Sequence, residues 1–275
     1  MPTRIDSPQD PRLDEFRDVK DARLRAREGL FLVEGRRNVE MLLRQDRFPP
    51  RALFLTPAAE RALGGVCREH RPDVPVYVAA QTLLNEVVGY DLHRGCIASA
   101  GRRDEDSAES LVDATTPNSL VVVAEDLTDT DNIGSLFRNA LALGASSVLL
   151  SPRCCDPLYR KAVRVSLGAV MRLPYARARG WPDDLLVLRA AGYTLVALDP
   201  AEVGERGETL AGFGARAVGP LALIVGSEGG GLSDVILERA DARVRIPMAA
   251  GSDSINVSTA AAIAIQQLVA SRRPE

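Results

Sequence analysis

Two apolar patterns alternate along the chain. Short runs of aliphatic residues read as strands, and between them lie stretches whose apolar positions recur every three or four residues, as on one helix face. In the amino-terminal part, strands are predicted at 31–35 (FLVEG), 51–56 (RALFLT), 74–79 (VPVYVA) and 95–100 (GCIASA), separated by helices over 36–47, 57–70 and 81–90. Residues 101–118, GRRDEDSAESLVDATTPN, are charged, poor in large apolar residues and end in Pro-Asn. A linker over 104–118 therefore divides a small α/β domain, 1–103, from a second domain, 119–275. In the second, strand-like runs at 119–126 (SLVVVAED), 147–151, 193–199, 221–226 (LALIVG) and 243–248 alternate with helical segments. Such alternation calls for a parallel sheet covered by helices on both faces.

Composition agrees with two globular domains: 275 residues, 46% apolar, 22 glycines. No run approaches the roughly 20 apolar residues of a membrane span, and MPTRIDSPQDPRLDEF carries no apolar signal-peptide core, so a cytoplasmic protein with no membrane partner is expected. Cys67, Cys96, Cys154 and Cys155 show no CxxC spacing and have only His70 and His93 beside them, so reduced structural thiols and no metal are expected.

The net charge of −3 argues against a strongly basic nucleic-acid binder, but charge is unevenly spread. From 153 to 179 stand seven basic residues (Arg153, Arg160, Lys161, Arg164, Arg172, Arg177, Arg179) and one acid, Asp156. A second cluster, Arg23, Arg25, Arg27, Arg36 and Arg37, is interleaved with Glu28 and Glu34. Each reads either as a solvated helix face or as an RNA contact.

Parallel α/β sheets bind ligands beyond the carboxyl ends of their strands, and three such junctions carry unusual residues. In 126–145, Asp131 or Asn132 can cap a helix whose apolar face is Ile133, Leu136, Phe137, Ala140 and Leu141, with Arg138 about two turns in. LALIVGSEGGGLS, 221–233, runs from a strand through a glycine-rich loop that lets a backbone approach a ligand closely. It lacks G-x-G-x-x-G and a Walker lysine, and Glu228 would repel a pyrophosphate, so neither a dinucleotide nor nucleotide hydrolysis is indicated. The third junction, GSDSINVSTAAAIAIQQL, 251–268, places the cap-forming Ser254, Asn256 and Ser258 before an alanine-rich face suited to close helix packing.

NIGSLFRNALALGA, LIVGSEGGGLS and IPMAAGSDSINVSTAAAI occur in that order and resemble the three motifs of the SPOUT methyltransferases, more closely the SpoU/TrmH branch that methylates ribose 2′-hydroxyls in RNA with S-adenosylmethionine. FLVEGRRNVEMLL, 31–43, is similar to the L30e-like substrate-binding domain of many of that branch's rRNA enzymes. The resemblance implies a parallel-sheet catalytic domain closed by a deep carboxyl-terminal trefoil knot, and a homodimer with cofactor sites near its interface. Position by position, the family's catalytic arginine falls on Arg138, its helix-start asparagine on Asn132, the second-motif glutamate on Glu228 and the third-motif polar residues on Ser254 and Asn256. Main-chain cofactor contacts fall on Gly226, Ile246 and Ile255, with Leu198 at the end of the preceding strand. Ile255 stands where leucine is common, and MAAGSDS is one residue longer than in some relatives.

The implied chemistry suits these residue types. Methyl transfer from a sulfonium needs an in-line oxygen nucleophile, and a ribose hydroxyl is a poor one until its proton is removed or its developing charge is stabilised. The family's proposal makes Arg138 the general base; a guanidinium is ordinarily a donor, which suits stabilisation of the alkoxide and a phosphate equally well. Asn132, Glu228, Ser254 and Asn256 are expected to position groups by hydrogen bonds, and Glu228 could also hold Arg138 in place. The amino-terminal domain and the 153–179 stretch are expected to select RNA, and the two-domain layout favours ribosomal over transfer RNA. Two other readings stay open: a non-catalytic RNA-binding member of the fold, and a small-molecule enzyme on a doubly wound sheet.

Overall fold

The computed structural model describes residues 2–17, 29–103, 106–113, 115–200, 207–249, 251 and 254–272. In chain order its strands are β1 (Thr3–Arg4), β2 (Leu30–Glu34), β3 (Pro50–Leu55), β4 (Val76–Val78), β5 (Cys96–Gly101), β6 (Leu120–Ala124), β7 (Ser147–Leu150), β8 (Tyr175–Arg177), β9 (Thr194–Leu198), β10 (Gly207–Thr209), β11 (Leu221–Val225) and β12 (Ala242–Arg245). Its α-helices are α1 (Arg36–Arg44), α2 (Pro57–His70), α3 (Gln81–Val88), α4 (Ala108–Val112), α5 (Thr130–Leu143), α6 (Arg160–Val165), α7 (Leu185–Ala190), α8 (Leu210–Gly214), α9 (Asp234–Arg239) and α10 (Val257–Ala270). The chain packs as two compact units, one of residues 1–104 with 157–172, the other of 105–156 with 173–275.

The first unit holds a mixed sheet in the order β1-β4-β3-β5-β2, with β5 antiparallel to both β2 and β3. Gly35, at φ +86°, ends β2 and opens α1, whose Val39, Leu42 and Leu43 recur at helical spacing and are fully buried. Thr56 caps α2 by accepting from the Ala59 amide, and Pro57 takes the first helical position, where its missing N–H costs nothing. Leu32, Phe54, Leu84 and Ile97 form the core together with Leu13 and Phe16 from the amino-terminal 3₁₀ turn. Helix α6 lies against β2 in this unit, although a linear division of the sequence assigns 157–172 to the second. The attachment is specific: the Glu34 carboxylate accepts from Tyr90 Oη and from Arg160 Nε at 3.1 Å.

The second unit is a seven-stranded sheet, β10-β12-β9-β11-β6-β7-β8, in which every pairing is parallel. Every residue of β6 and β11 is buried, because central parallel strands are covered on both faces; hence their continuous aliphatic runs. Asp129 caps α5 by accepting from the Asn132 amide at 3.3 Å, so the cap lies two or three residues before Asp131 and Asn132, the expected candidates. Gly144, at φ +93°, ends that helix. Helix α10 packs along α5 through Ala261, Ala264, Ile265 and Leu268, all fully buried. The expected linker is partly structured: in α4, Ala108 and Leu111 are buried in the core with Leu185 and Leu188 of α7.

Candidate active site

All seven strands of the second unit run the same way, so the loops after β9, β11 and β12 emerge at one sheet edge. There they surround a cavity of about 440 Å³. Its walls include Leu198, Gly226, Ile246 and Ile255, together with Glu228, Ser254 and Asn256. Three stretches distant in sequence thus meet in one place.

The glycine-rich loop owes its shape to close backbone approach. A Cβ on Gly226 would lie 2.2 Å from the carbonyl carbon of Gly231 and 2.5 Å from the Leu232 nitrogen. Ser227 and Gly231 exchange backbone hydrogen bonds, with Ser227 N donating at 3.1 Å and Gly231 N at 3.0 Å. Gly229 (φ +84°) and Gly231 (φ +64°) occupy the left-handed region this turn needs.

Asn256 joins the junctions. Its Nδ2 donates to Asn132 Oδ1 at 2.9 Å and to Glu228 Oε1 at 3.0 Å. Its Oδ1 accepts from the amides of Ser258 at 3.0 Å and Thr259 at 3.2 Å, capping α10. One side chain therefore ties the start of α5, the glycine-rich loop and the start of α10. Asn132 is buried beneath the cluster, whereas Glu228 is exposed on the loop. Ser254 is exposed at the cavity rim, and its hydroxyl makes no hydrogen bond among the described residues.

Arg138 stands apart from this group. It lies on the exposed side of α5, is not a wall of the cavity, and makes no hydrogen bond or ion pair among the described residues. Six residues beyond Asn132, it projects about 120° away around the helix. Glu228 is held by Asn256 and not, as sequence reasoning allowed, by Arg138.

Sequence reasoning passed over Asp199, Ser227, Met248, Val257 and Ala260, which also line the cavity; all but Ala260 lie within two residues of an assigned position. It also missed Glu125. Buried at the end of β6, Glu125 accepts from the Ser233 amide at 2.9 Å, the Ser233 hydroxyl at 2.8 Å and Trp181 Nε1 at 3.2 Å. It fixes the far end of the glycine-rich loop, and the available signal was an acid closing an otherwise apolar strand. Asp126 follows at φ +56°, where it accepts from Ser151 Oγ at 2.8 Å and from Arg153 Nε at 3.0 Å. The Arg153 guanidinium holds its carboxyl below the usual range.

The basic stretch 153–179 does not act as one block. Arg177 turns inward on the 151–155 loop, donating to the carbonyls of Ser151, Cys154 and Cys155. Arg160 and Arg164 belong to the first unit, facing Glu34. Of the second cluster, Arg36 and Arg37 are exposed, while Arg23, Arg25, Arg27 and Glu28 lie outside the described residues. Burial pushes the Cys154 thiol up and that of Cys155 to about 12, and all four cysteines are free. Among the described residues, no cluster of three His, Cys, Asp or Glu could hold a metal, and no helix is long and apolar enough to cross a membrane.

Comparison with known proteins is consistent across the chain. The SpoU rRNA Methylase family matches residues 119–266. An uncharacterised tRNA/rRNA methyltransferase of Mycobacterium tuberculosis is 40% identical over 269 residues, 94% of this chain and 89% of the relative. Among solved structures, the SpoU methyltransferase AviRb of Streptomyces viridochromogenes, in complex with AdoMet, superposes with a TM-score of 0.79 at 25% identity, covering 95% of this chain and 98% of that one. An RNA 2′-O ribose methyltransferase superposes with a TM-score of 0.76 at 28% identity, covering 98% and 99%.

Proposed function

The chain belongs to the SpoU rRNA methylase family, and from that premise we propose that it transfers the methyl group of S-adenosylmethionine to a ribose 2′-hydroxyl of ribosomal RNA. The observation that carries this reading is the Asn256 hub, which gathers the start of α5, the glycine-rich loop and the start of α10 beside one cavity.

The residues present fit the cofactor. Leu198, Ile246 and Ile255 offer apolar walls for an adenine, and Gly226 leaves no side chain between the loop backbone and the cavity. The bound cofactor supplies an electrophilic methyl group on a sulfonium. The chain's own part is to orient and to manage charge. Asn256 uses its donor and acceptor fully on protein partners, so it shapes the site rather than reacting. Ser254, whose hydroxyl has no protein partner among the described residues, is free to hold the donor or the ribose. Glu228, exposed at the cavity and directed by Asn256, would offer a carboxylate to a positively charged methyl donor bound there. Arg138, on the open side of α5, fits the role of gripping an RNA phosphate and the developing alkoxide once substrate covers that face. The homodimer and the trefoil knot implied by the resemblance belong to the same reading; exposed Ile255 and Ile263 are apolar surface that a second copy would cover.

The test is methyl transfer from radiolabelled S-adenosylmethionine to ribosomal and transfer RNA, followed by alkaline hydrolysis. A label retained in alkali-resistant dinucleotides of ribosomal RNA is expected. Label on a base, or on transfer RNA alone, refutes the proposal.

A further inference from the structure

The aliphatic run of β6 ends in an acid. Residues 120–124 are all buried, and one more aliphatic residue would continue that core, yet the next position is Glu125, only 4% exposed. A carboxylate removed from water is costly unless donors surround it. Here three converge: Ser233 N donates to Oε2 at 2.9 Å, while Ser233 Oγ and Trp181 Nε1 donate to Oε1 at 2.8 and 3.2 Å. The backbone of the same residue adds another contact, with Glu125 N donating to the Val225 carbonyl at 2.8 Å.

Val225 closes β11 immediately before Gly226, and Ser233 follows Leu232, so Glu125 holds the glycine-rich segment 226–232 at both of its ends. Asn256 holds the middle of it through Glu228. Gly226, Ser227, Glu228, Gly229 and Gly231 of that segment line the methyl-transfer cavity, whereas Glu125 does not. Ser233 is committed to the contact. It is the N-cap of α9, a place where a serine hydroxyl ordinarily accepts from the amides of its own helix, but this hydroxyl makes no cap bond and donates to Glu125 instead.

We propose that Glu125 is a positioning residue for the methyl-donor site, setting the wall made by the glycine-rich loop by gripping both of its ends without touching the donor. The proposal rests on the methyltransferase reading and concerns affinity for S-adenosylmethionine, not the choice of RNA. The grip needs a group that only accepts. An amide of the same shape turns its NH2 toward one of the three converging donors, so that one buried contact becomes donor against donor.

The test is titration calorimetry of S-adenosylmethionine with the full-length protein, Glu125→Gln, Ser233→Ala and the double variant. Tyr193→Phe is the control, because it removes an unrelated hydrogen bond from the same core, that between its hydroxyl and Thr115 Oγ1 at 3.1 Å. Expected are about tenfold weaker binding for Glu125→Gln and about threefold for Ser233→Ala. The double variant should lose about tenfold, not the roughly thirtyfold product, because both changes act through one contact. Tyr193→Phe should stay within about twofold of wild type, and with ribosomal RNA as acceptor Glu125→Gln should raise KM for S-adenosylmethionine while kcat at saturation changes less than about threefold. Wild-type affinity in Glu125→Gln, losses that multiply in the double variant, an equal loss in Tyr193→Phe, or a fall in kcat with KM unchanged each overturn the positioning role and leave the methyltransferase reading intact. If Glu125→Gln does not fold, Ser233→Ala decides, and wild-type affinity there overturns the role. A wild-type protein that binds no S-adenosylmethionine overturns both.

Discussion

Substituting Gly226 by alanine isolates one physical cause. Gly226 does not lie at positive φ, so alanine can adopt its backbone conformation; the cost is steric alone. The new methyl group would sit 2.2 Å and 2.3 Å from the carbonyl carbon and oxygen of Gly231 and 2.5 Å from Leu232 N. Ordinary carbon contacts begin near 3.5 Å, so the loop must retreat by roughly 1 Å. The retreat breaks the paired bonds between Ser227 and Gly231, about 1 kcal/mol each, or leaves an overpacked junction costing about 1–3 kcal/mol. Either route costs roughly 1–3 kcal/mol, and because the displaced backbone is itself a wall of the cavity, S-adenosylmethionine affinity should fall about tenfold, the equivalent of about 1.4 kcal/mol. Titration calorimetry and thermal unfolding read the two consequences. Gly230→Ala is the control, because its Cβ would meet only the movable Ser227 hydroxyl at 3.2 Å. A Gly226→Ala protein with unchanged affinity and unchanged Tm would refute the argument that close backbone approach builds this wall.

Four further outcomes follow from the structure. Asn256→Ala removes the α10 cap, about 1 kcal/mol, and strips the buried Asn132 Oδ1 of its partner, about 1–3 kcal/mol, so urea unfolding should show a loss of about 2–4 kcal/mol. Asn256→Asp keeps the cap but sets a carboxylate against Glu228, so it should be destabilised at neutral pH and recover on acidification through the carboxylate range. The folded-state pKa of Asp126 is depressed, so its contribution is present above about pH 4 and lost as pH falls through the folded value; Asp126→Asn, which tolerates the same left-handed backbone, should flatten the acid limb of Tm against pH. Burial raises the Cys154 thiol and that of half-buried Cys155, so a thiol reagent at neutral pH should label them slowly in the native protein and rapidly in urea; fast native labelling of Cys154 would count against its buried placement.

Much of the fold is written locally. The aliphatic runs at 120–124 and 221–225 are strands because a parallel sheet covered on both faces needs nothing but apolar side chains there, and Gly144 ends α5 where a left-handed residue is required. The glycine-rich loop and the Ser-Asn helix start were visible too, since both obey backbone rules that act within a few residues. Three of the four edge strands were not: β1 has two residues and β8 and β10 three each, too short to display a period, and they exist only because a neighbouring strand presents free hydrogen-bonding groups.

Pairings between distant segments lay beyond the sequence. Nothing near 157–172 announces that α6 joins the first unit, because the decision rests on Glu34 receiving the guanidinium of Arg160, a residue far along the chain. Nor does the sequence around Glu125 reveal that it anchors Ser233, or that Arg138 stands outside the cavity its motif neighbours line. Periodicity and turn chemistry determine which segments become strands, helices and tight loops, since those preferences act over a few bonds. Which side chains meet was decided by packing, because burying a charge or an amide is tolerated only where the folded chain supplies its partner.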